Sequence, residues 1–237
     1  MSQTCQTCSM NSQKSVLITG ASGLIGSALV SKFKSSGWRV IAHSYASAIQ
    51  NNVEELRSDL TEPESGKKLL DSVEKIDCVI NNAAKQEVKE IEELTPQYLT
   101  KLFQINVLTP LEIMAAAHAK GASLAINISS IEGITSRPGH EAYGATKAAL
   151  DSLTKSLAIS LAPMRVNGLR LGLIGDENLQ SRWPSGVASW NSLVPTKRYG
   201  SPLEVAEFVH ELTSDTFRFT TGAIFDFDGG KSATPGW

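Results

Sequence analysis

The sequence predicts an α/β fold: a doubly wound, seven-stranded parallel sheet, flanked by helices on both faces, in a single domain. Three observations predict it. From Ser15 onward, short β-rich runs alternate with helical patterns. A glycine-rich turn joins the first strand to the first helix. The 237 residues contain no internal repeat and no linker that would divide them. Strands separated by helical crossovers run parallel, and right-handed crossovers cover both faces of the sheet.

The elements follow in order. Residues 1–14 are polar and read as a flexible leader; residues 15–237 form the domain. Residues 16–18 are the first strand. Leu24, Ile25, Leu29, Val30 and Phe33 then recur at helical spacing, and Gly37 closes that helix. Residues 40–42 form the second strand, 56–60 hold a short third, and 78–80 form the fourth. A long helical stretch runs over 96–120, followed by a fifth strand at 124–129. The pattern over 142–161 is a helix stopped by Pro163. Residues 166–171 and 223–227 are the sixth and seventh strands. Residues 175–199, with Trp183, Pro184, Trp190 and Pro195, show neither strand alternation nor a helical stripe, and read as a lid loop.

Composition narrows the function. Lys and Arg number 22 against 24 Asp and Glu, a net charge of −2, which argues against a nucleic-acid binder. No apolar run approaches the ~20 residues needed to span a bilayer, and the polar start lacks the apolar stretch of a secretory signal. A cytoplasmic protein without membrane partners is expected. Three cysteines are too few for a disulfide scaffold. Cys5 and Cys8 form a CxxC with no second ligand pair, so no metal site is expected; Cys78 sits in an apolar run and reads as core. His43, His118, His140 and His210 show no metal-ligand spacing and read as surface or packing residues, with His140 near a pocket mouth.

The turn Thr19-Gly20-Ala21-Ser22-Gly23-Leu24-Ile25-Gly26 carries the first chemistry. Its glycines let backbone approach a phosphate, and the helix that follows offers unpaired N–H groups and a positive dipole end. Between a strand and a helix this is the dinucleotide-binding turn of a Rossmann fold. An acidic residue ending the second strand would bond a ribose 2′-OH; Ser44 stands there instead, and a serine can donate to a 2′-phosphate. NADP(H) is therefore expected in preference to NAD(H).

With these motifs in sequence, the chain resembles the short single-domain branch of the short-chain dehydrogenase/reductase family, from about Val16 to Gly230. Asp59-Leu60-Thr61 looks like the family's adenine-contacting segment, and Asn81-Asn82-Ala83-Ala84 like its NNAG stretch. Asn106 looks like its catalytic asparagine. Ser130 and the run from Tyr143 to Lys147 match its serine and YxxxK, at a separation of 143 − 130 = 13 that selects Ser130 over Ser129. Arg165-Val166-Asn167 and Asp228-Gly229-Gly230 match later landmarks.

Tyr143 and Lys147 are i and i+4 on a helix, so they share a face. A neighbouring ammonium favours the phenolate, which lowers a tyrosine pKa that is ordinarily near ~10. Tyr143 then exchanges a proton with a carbonyl oxygen, and Ser130 polarises that oxygen. The resemblance implies that Lys147 also binds the nicotinamide ribose, and that Asn106 holds a proton-relaying water. It further implies cofactor contacts at Gly20, Ser22, Gly23, Leu24, Ile25, Ser44, Asp59, Leu60, Asn82, Ala83, Ala84, Tyr143, Lys147, Gly172 and Ile174.

Three departures stand out. The middle glycine of the turn falls at Gly23 rather than at Leu24, a spacing closer to that of the larger sugar-nucleotide epimerases. Leu171-Gly172 replaces the usual Pro-Gly, and Asp176 stands where the family has a threonine, so a carboxylate there repels the cofactor unless it points away. Ala84 replaces the last glycine of NNAG and tightens the space near the nicotinamide ribose.

The leading expectation is an NADPH-dependent reductase of a small-molecule ketone or aldehyde, a 3-oxoacyl thioester or a pterin-like C=N bond. Alternatives are a dinucleotide-binding regulator without turnover and an epimerase-like enzyme that recycles its cofactor. Leu150, Leu153, Leu157 and Leu161 stripe the YxxxK helix, and the family commonly pairs that helix between copies, so a homo-oligomer, dimer or tetramer, is expected.

Overall fold

A computed structural model describes residues 13–49, 52–135 and 137–234. Cys5, Cys8 and most of the expected leader lie outside the described residues. The end of that leader docks: Gln13 Nε2 donates to the Gly37 carbonyl at 2.9 Å, and the Arg39 N–H donates to the Lys14 carbonyl at 2.8 Å.

The sheet is seven-stranded and parallel throughout, as expected. Its strands are β1 (Ser15–Ile18), β2 (Arg39–Ser44), β3 (Glu54–Arg57), β4 (Cys78–Asn81), β5 (Leu124–Ser130), β6 (Arg165–Leu171) and β7 (Ile224–Phe227). They lie in the order β3-β2-β1-β4-β5-β6-β7. The third strand is the one that moves from its expected place, because residues 58–61 turn instead of extending: Asp59 Oδ1 accepts from both the Thr61 N–H and its hydroxyl, at 2.9 and 2.7 Å.

Alternation along each strand divides the core. Val16, Ile18, Cys78, Ile80, Leu124 and Ile126 face one layer, built from α1 (Leu24–Ser35) and α8 (Pro202–Glu211). Leu17, Val79, Ala125 and Val166 face the other, under α2 (Ser65–Leu69), α4 (Thr109–Ala119) and α5 (Glu141–Ser160). The leucine stripe of α5 is used internally: Leu150 is buried, and Leu153, Leu157 and Leu161 pack on this second core.

Helix α1 ends as its sequence predicts. Gly37 takes a left-handed φ of +82°, its N–H donates to the Lys34 carbonyl, and Trp38 N–H donates to the Phe33 carbonyl. The Phe33 and Trp38 rings meet edge to face, completing a Schellman cap. The stretch expected as one helix over 96–120 is α3 (Pro96–Phe103), a π turn (Gln104–Leu108) and α4. Pro110 has no N–H for the Asn106 carbonyl four residues back, and its ring crowds that carbonyl, so the ladder widens there.

The lid is helical, against expectation: it carries α6 (Leu179–Arg182) and α7 (Pro184–Leu193). No helix among the described residues is long and apolar enough to cross a membrane. Helix α8 carries its own start signal: Ser201 and Glu204 form a reciprocal capping box ahead of it, with Pro202 at its first position. Replacing Ser201 with alanine removes one cap and is expected to cost about 1 kcal/mol. Thermal unfolding should show Tm lowered by about 2–4 °C for a chain of this size.

Candidate active site

The strand order reverses direction across β1 and β4, and the crevice outside their carboxyl ends is the switch point where such sheets bind ligands. A polar clasp ties its two sides. Thr19 Oγ1 accepts from the N–H groups of Asn82 and Ala83, each at 3.0 Å. Asn82 Nδ2 donates back to the carbonyls of Thr19 and Gly20, at 2.9 and 3.1 Å. Gly20 sits at φ +63°, and a Cβ there would stand 2.8 Å from the Ala83 Cα, so only glycine fits.

A cleft of about 700 Å³ opens over this turn. Gly20, Ser22, Gly23, Leu24, Ile25, Asp59, Leu60, Asn82, Ala83 and Ala84 line it. Gly23 caps α1, and a Cβ on it would meet nothing nearer than the Gly20 carbonyl at 3.4 Å, so the cleft comes down to bare backbone at the helix N-terminus. That cradle fits a pyrophosphate. Leu24, in place of the family's glycine, is half exposed on the cleft wall.

Ser44 is the one expected cofactor residue that the structure turns away. Its side chain is fully buried and donates to Glu55 Oε1 at 2.8 Å, a carboxylate that Arg57 also holds at 3.1 Å. His43 and Tyr45 line the cleft instead. The His43 ring, expected to be a surface or packing residue, is a buried brace. The Ser58 carbonyl at 3.1 Å fixes its proton on Nε2, leaving Nδ1 to accept from the Gly20 N–H at 3.4 Å. Burial holds its pKa below the usual histidine range, which suits that neutral role.

A second cleft of about 690 Å³ adjoins the first and shares Ile25, Asn82 and Ala84 with it. Ser130 at the end of β5, Tyr143 and Lys147 on α5, and Gly172 and Ile174 after β6 all line it. The Glu132 N–H donates to Ser130 Oγ at 3.1 Å, while Ser129 turns its hydroxyl towards the Lys147 carbonyl. Lys147 is 3% exposed and donates from Nζ to the Ile128 carbonyl at 2.8 Å. Its Nζ stands 5.6 Å from the Tyr143 ring centre. Burial brings the amine down to about 8, against the opposing pull of the Asp151 carboxylate one turn on.

The tyrosine departs from expectation. Its pKa is raised, because burial and the Glu132 charge outweigh the hydrogen bond from Ser130. The ammonium was expected to lower it; Lys147 Nζ instead donates to the Ile128 carbonyl. Asn106, in the π turn, lines neither cleft. Its Oδ1 accepts from the Lys85 N–H at 2.9 Å, and its Nδ2 donates to the Lys85 carbonyl and Thr146 Oγ1, each at 3.0 Å, bracing the loop after β4 against α5.

Sequence reasoning missed the polar wall of this cleft: Gln86, Glu132 and Arg137. Their signal was position alone, within a few residues of the serine, tyrosine and NNAA landmarks. Trp183, Trp190 and Leu193 of the lid also line the cleft, with the Arg137 guanidinium over the Trp183 ring. Asp176 lines neither cleft: its carboxylate accepts two bonds from Arg182, at 2.9 and 3.2 Å, and one from the Asn178 N–H. The same guanidinium holds its pKa below the usual carboxylate range.

Fold and site together define a dinucleotide-dependent oxidoreductase. A family model described as enoyl-(acyl carrier protein) reductase matches residues 20–232. The chain belongs to the short-chain dehydrogenase/reductase family. It is 29% identical over 234 residues to L-xylulose reductase of Bos taurus, covering 92% of this chain and 96% of that one. Among solved structures it resembles 4-hydroxyisoleucine dehydrogenase complexed with NADH, with TM-score 0.82, 26% identity, and 94% and 100% of the two chains covered. BdcA in complex with NADPH superposes with TM-score 0.83 at 26% identity, over 91% and 93%.

Lys147 makes stability depend on pH. Its folded pKa of about 8 lies below the usual 10.5, so between those values the unfolded chain binds the extra proton and stability rises with pH. Raising pH from 7 to 10 should stabilise the native chain relative to Lys147→Met by on the order of 2–3 kcal/mol, read from urea unfolding at both pH values.

Proposed function

We propose that the protein reduces the carbonyl group of a small molecule with NADPH, Tyr143 delivering the proton. The observation that carries this is the convergence of Ser130, Tyr143 and Lys147 on a cleft continuous with the glycine-turn cradle. Gly20, Ser22, Gly23, Leu24 and Ile25 would hold the pyrophosphate, and Asp59 and Leu60 the adenine. Asn82, Ala83, Ala84, Tyr143 and Lys147 would flank the nicotinamide ribose, with Gly172 and Ile174 beside the ring. The bound nicotinamide supplies the hydride.

Ser130 donates to the carbonyl oxygen and polarises it, with its own oxygen aligned by the Glu132 N–H. Tyr143 is held protonated by burial and the Glu132 charge, the state that a general acid needs. Lys147, with an amine near 8, is able to return a proton to the tyrosine near neutrality. Asn106 acts through Lys85 and Thr146, fixing the loop and helix on which these groups stand.

Support for NADPH over NADH is the absence of a carboxylate from the end of β2, where His43 and Tyr45 face the cleft and the Glu55 charge is already taken by Ser44 and Arg57. A homo-oligomer is part of the same reading. Its support is the apolar surface left open by Phe219, fully exposed, and Ile159, 81% exposed. Light scattering showing only monomer at working concentration removes that part.

The test is a fluorescence titration with NADPH and NADH, followed by an oxidation assay on ketones, 3-oxoacyl thioesters and pterins. NADPH should bind more tightly and be consumed stoichiometrically; a bound but recycled cofactor would point to the epimerase-like alternative. Tyr143→Phe should retain NADPH binding and lose turnover by at least about a thousandfold, and Ser130→Ala should lose on the order of a hundredfold in kcat. Unchanged turnover in Tyr143→Phe overturns the mechanism.

A further inference from the structure

Beside Ser130 and Tyr143 stands a carboxylate with spare bonding capacity. Glu132 lies two residues past Ser130, in the 3-10 turn Ile131–Gly133, and lines the second cleft with Gln86, Arg137 and Tyr143. Its side chain is 14% exposed. Its two oxygens differ. Oε2 accepts from His140 Nδ1 at 2.8 Å, from a ring that is itself buried and whose Nε2 has no partner among the described residues. Oε1 makes no hydrogen bond among the described residues, and the Arg137 guanidinium stands off at 3.7 Å, resting over the Trp183 ring. The carboxylate is thus anchored from behind, with one acceptor oxygen left over.

We infer that Glu132 is a specificity residue whose Oε1, which makes no hydrogen bond among the described residues, accepts one from a substrate hydroxyl close to the reacting carbonyl, so that the enzyme takes hydroxylated ketones or aldehydes. This rests on the carbonyl-reduction reading above. A hydroxyl donating to a carboxylate makes one of the stronger hydrogen bonds, whereas a hydrocarbon pressed against it leaves a desolvated acceptor unpaired. A substrate carboxylate would have to displace Glu132 from Arg137, which stands 3.7 Å from Oε1. The proximity of Glu132 to the reacting groups also shows in its charge, which adds to the larger effect of burial in raising the Tyr143 pKa. Trp183, Trp190 and Leu193 in the same cleft offer apolar surface to the carbon skeleton.

The experiment compares kcat/KM for NADPH oxidation with butan-2-one, 3-hydroxybutan-2-one and 2-oxobutanoate, in native enzyme, Glu132→Ala and Glu132→Gln. The native enzyme should prefer 3-hydroxybutan-2-one to butan-2-one by about tenfold or more, with 2-oxobutanoate the poorest of the three. In Glu132→Ala the hydroxyl preference should collapse to within about twofold, a ratio that a general loss of activity would not move. If Glu132→Ala fails to bind NADPH and so is misfolded, Glu132→Gln decides: 2-oxobutanoate should gain on the other two by about tenfold or more. Turnover without a hydroxyl preference in the native enzyme, or a preference that survives in Glu132→Ala, overturns this inference and leaves carbonyl reduction standing. Silence towards all three probes with NADPH bound overturns both.

Discussion

The active end of this molecule depends on one clasp between Thr19 and Asn82. Strands β1 and β4 are neighbours in the sheet but far apart in sequence, and the chain leaves them on opposite sides of the crevice. Four hydrogen bonds among Thr19, Gly20, Asn82 and Ala83 fasten the two exits together. They leave Gly20 no room for a side chain and set the turn that exposes the α1 N-terminus. The His43 ring adds a third strand to the same knot through the Gly20 N–H. Both clefts take their shared wall from this point.

Burial then does the electrostatic work. Lys147 stays inside because two groups meet it: the Ile128 carbonyl accepts a hydrogen bond from its Nζ, and the Asp151 carboxylate one helical turn on opposes the desolvation. Asp151 is in turn anchored at 2.6 Å by Arg170 of β6, which also reaches Asp226 on β7. A chain of alternating charges thus runs from the cleft to the sheet edge. Each link lowers the cost of placing the next in a medium of low dielectric.

The sheet, its parallel sense and its split core were legible because alternating apolar residues such as Val16, Leu17 and Ile18 must face opposite layers. The reactive groups were legible because helical spacing puts Tyr143 and Lys147 on one face whatever surrounds them. What escaped depends on side-chain partners that spacing along the chain does not reveal. Ser44 looked free to bind a phosphate, but Glu55, eleven residues on in sequence and beside it in the sheet, claims its hydroxyl. Asp176 looked like an intrusion until Arg182 came round on the first turn of the lid to neutralise it. The tyrosine's raised pKa likewise reflects Glu132 and burial, neither of which the i, i+4 rule contains.

The lid has a neck. Ile174 and Gly200 pair as a parallel bridge, the Gly175 N–H donates to the Gly200 carbonyl, the Gly200 N–H donates to the Leu173 carbonyl, and Tyr199 reaches the Asp176 carbonyl. Between these points lie α6 and α7 with both cleft-lining tryptophans, and they touch the sheet ends at few places: Trp190 packs on Gly172, and the Thr196 N–H donates to the Gly229 carbonyl at 3.3 Å. The ordering cost of closing the loop is met at the neck and changes only slowly with the length of what lies beyond it. Such a segment is an exchangeable cassette: drift, insertion or replacement within it can re-cut the cleft for a new molecule while the strand ends and their proton-handling groups stay in register. Substrate range can therefore diversify here faster than the reaction itself.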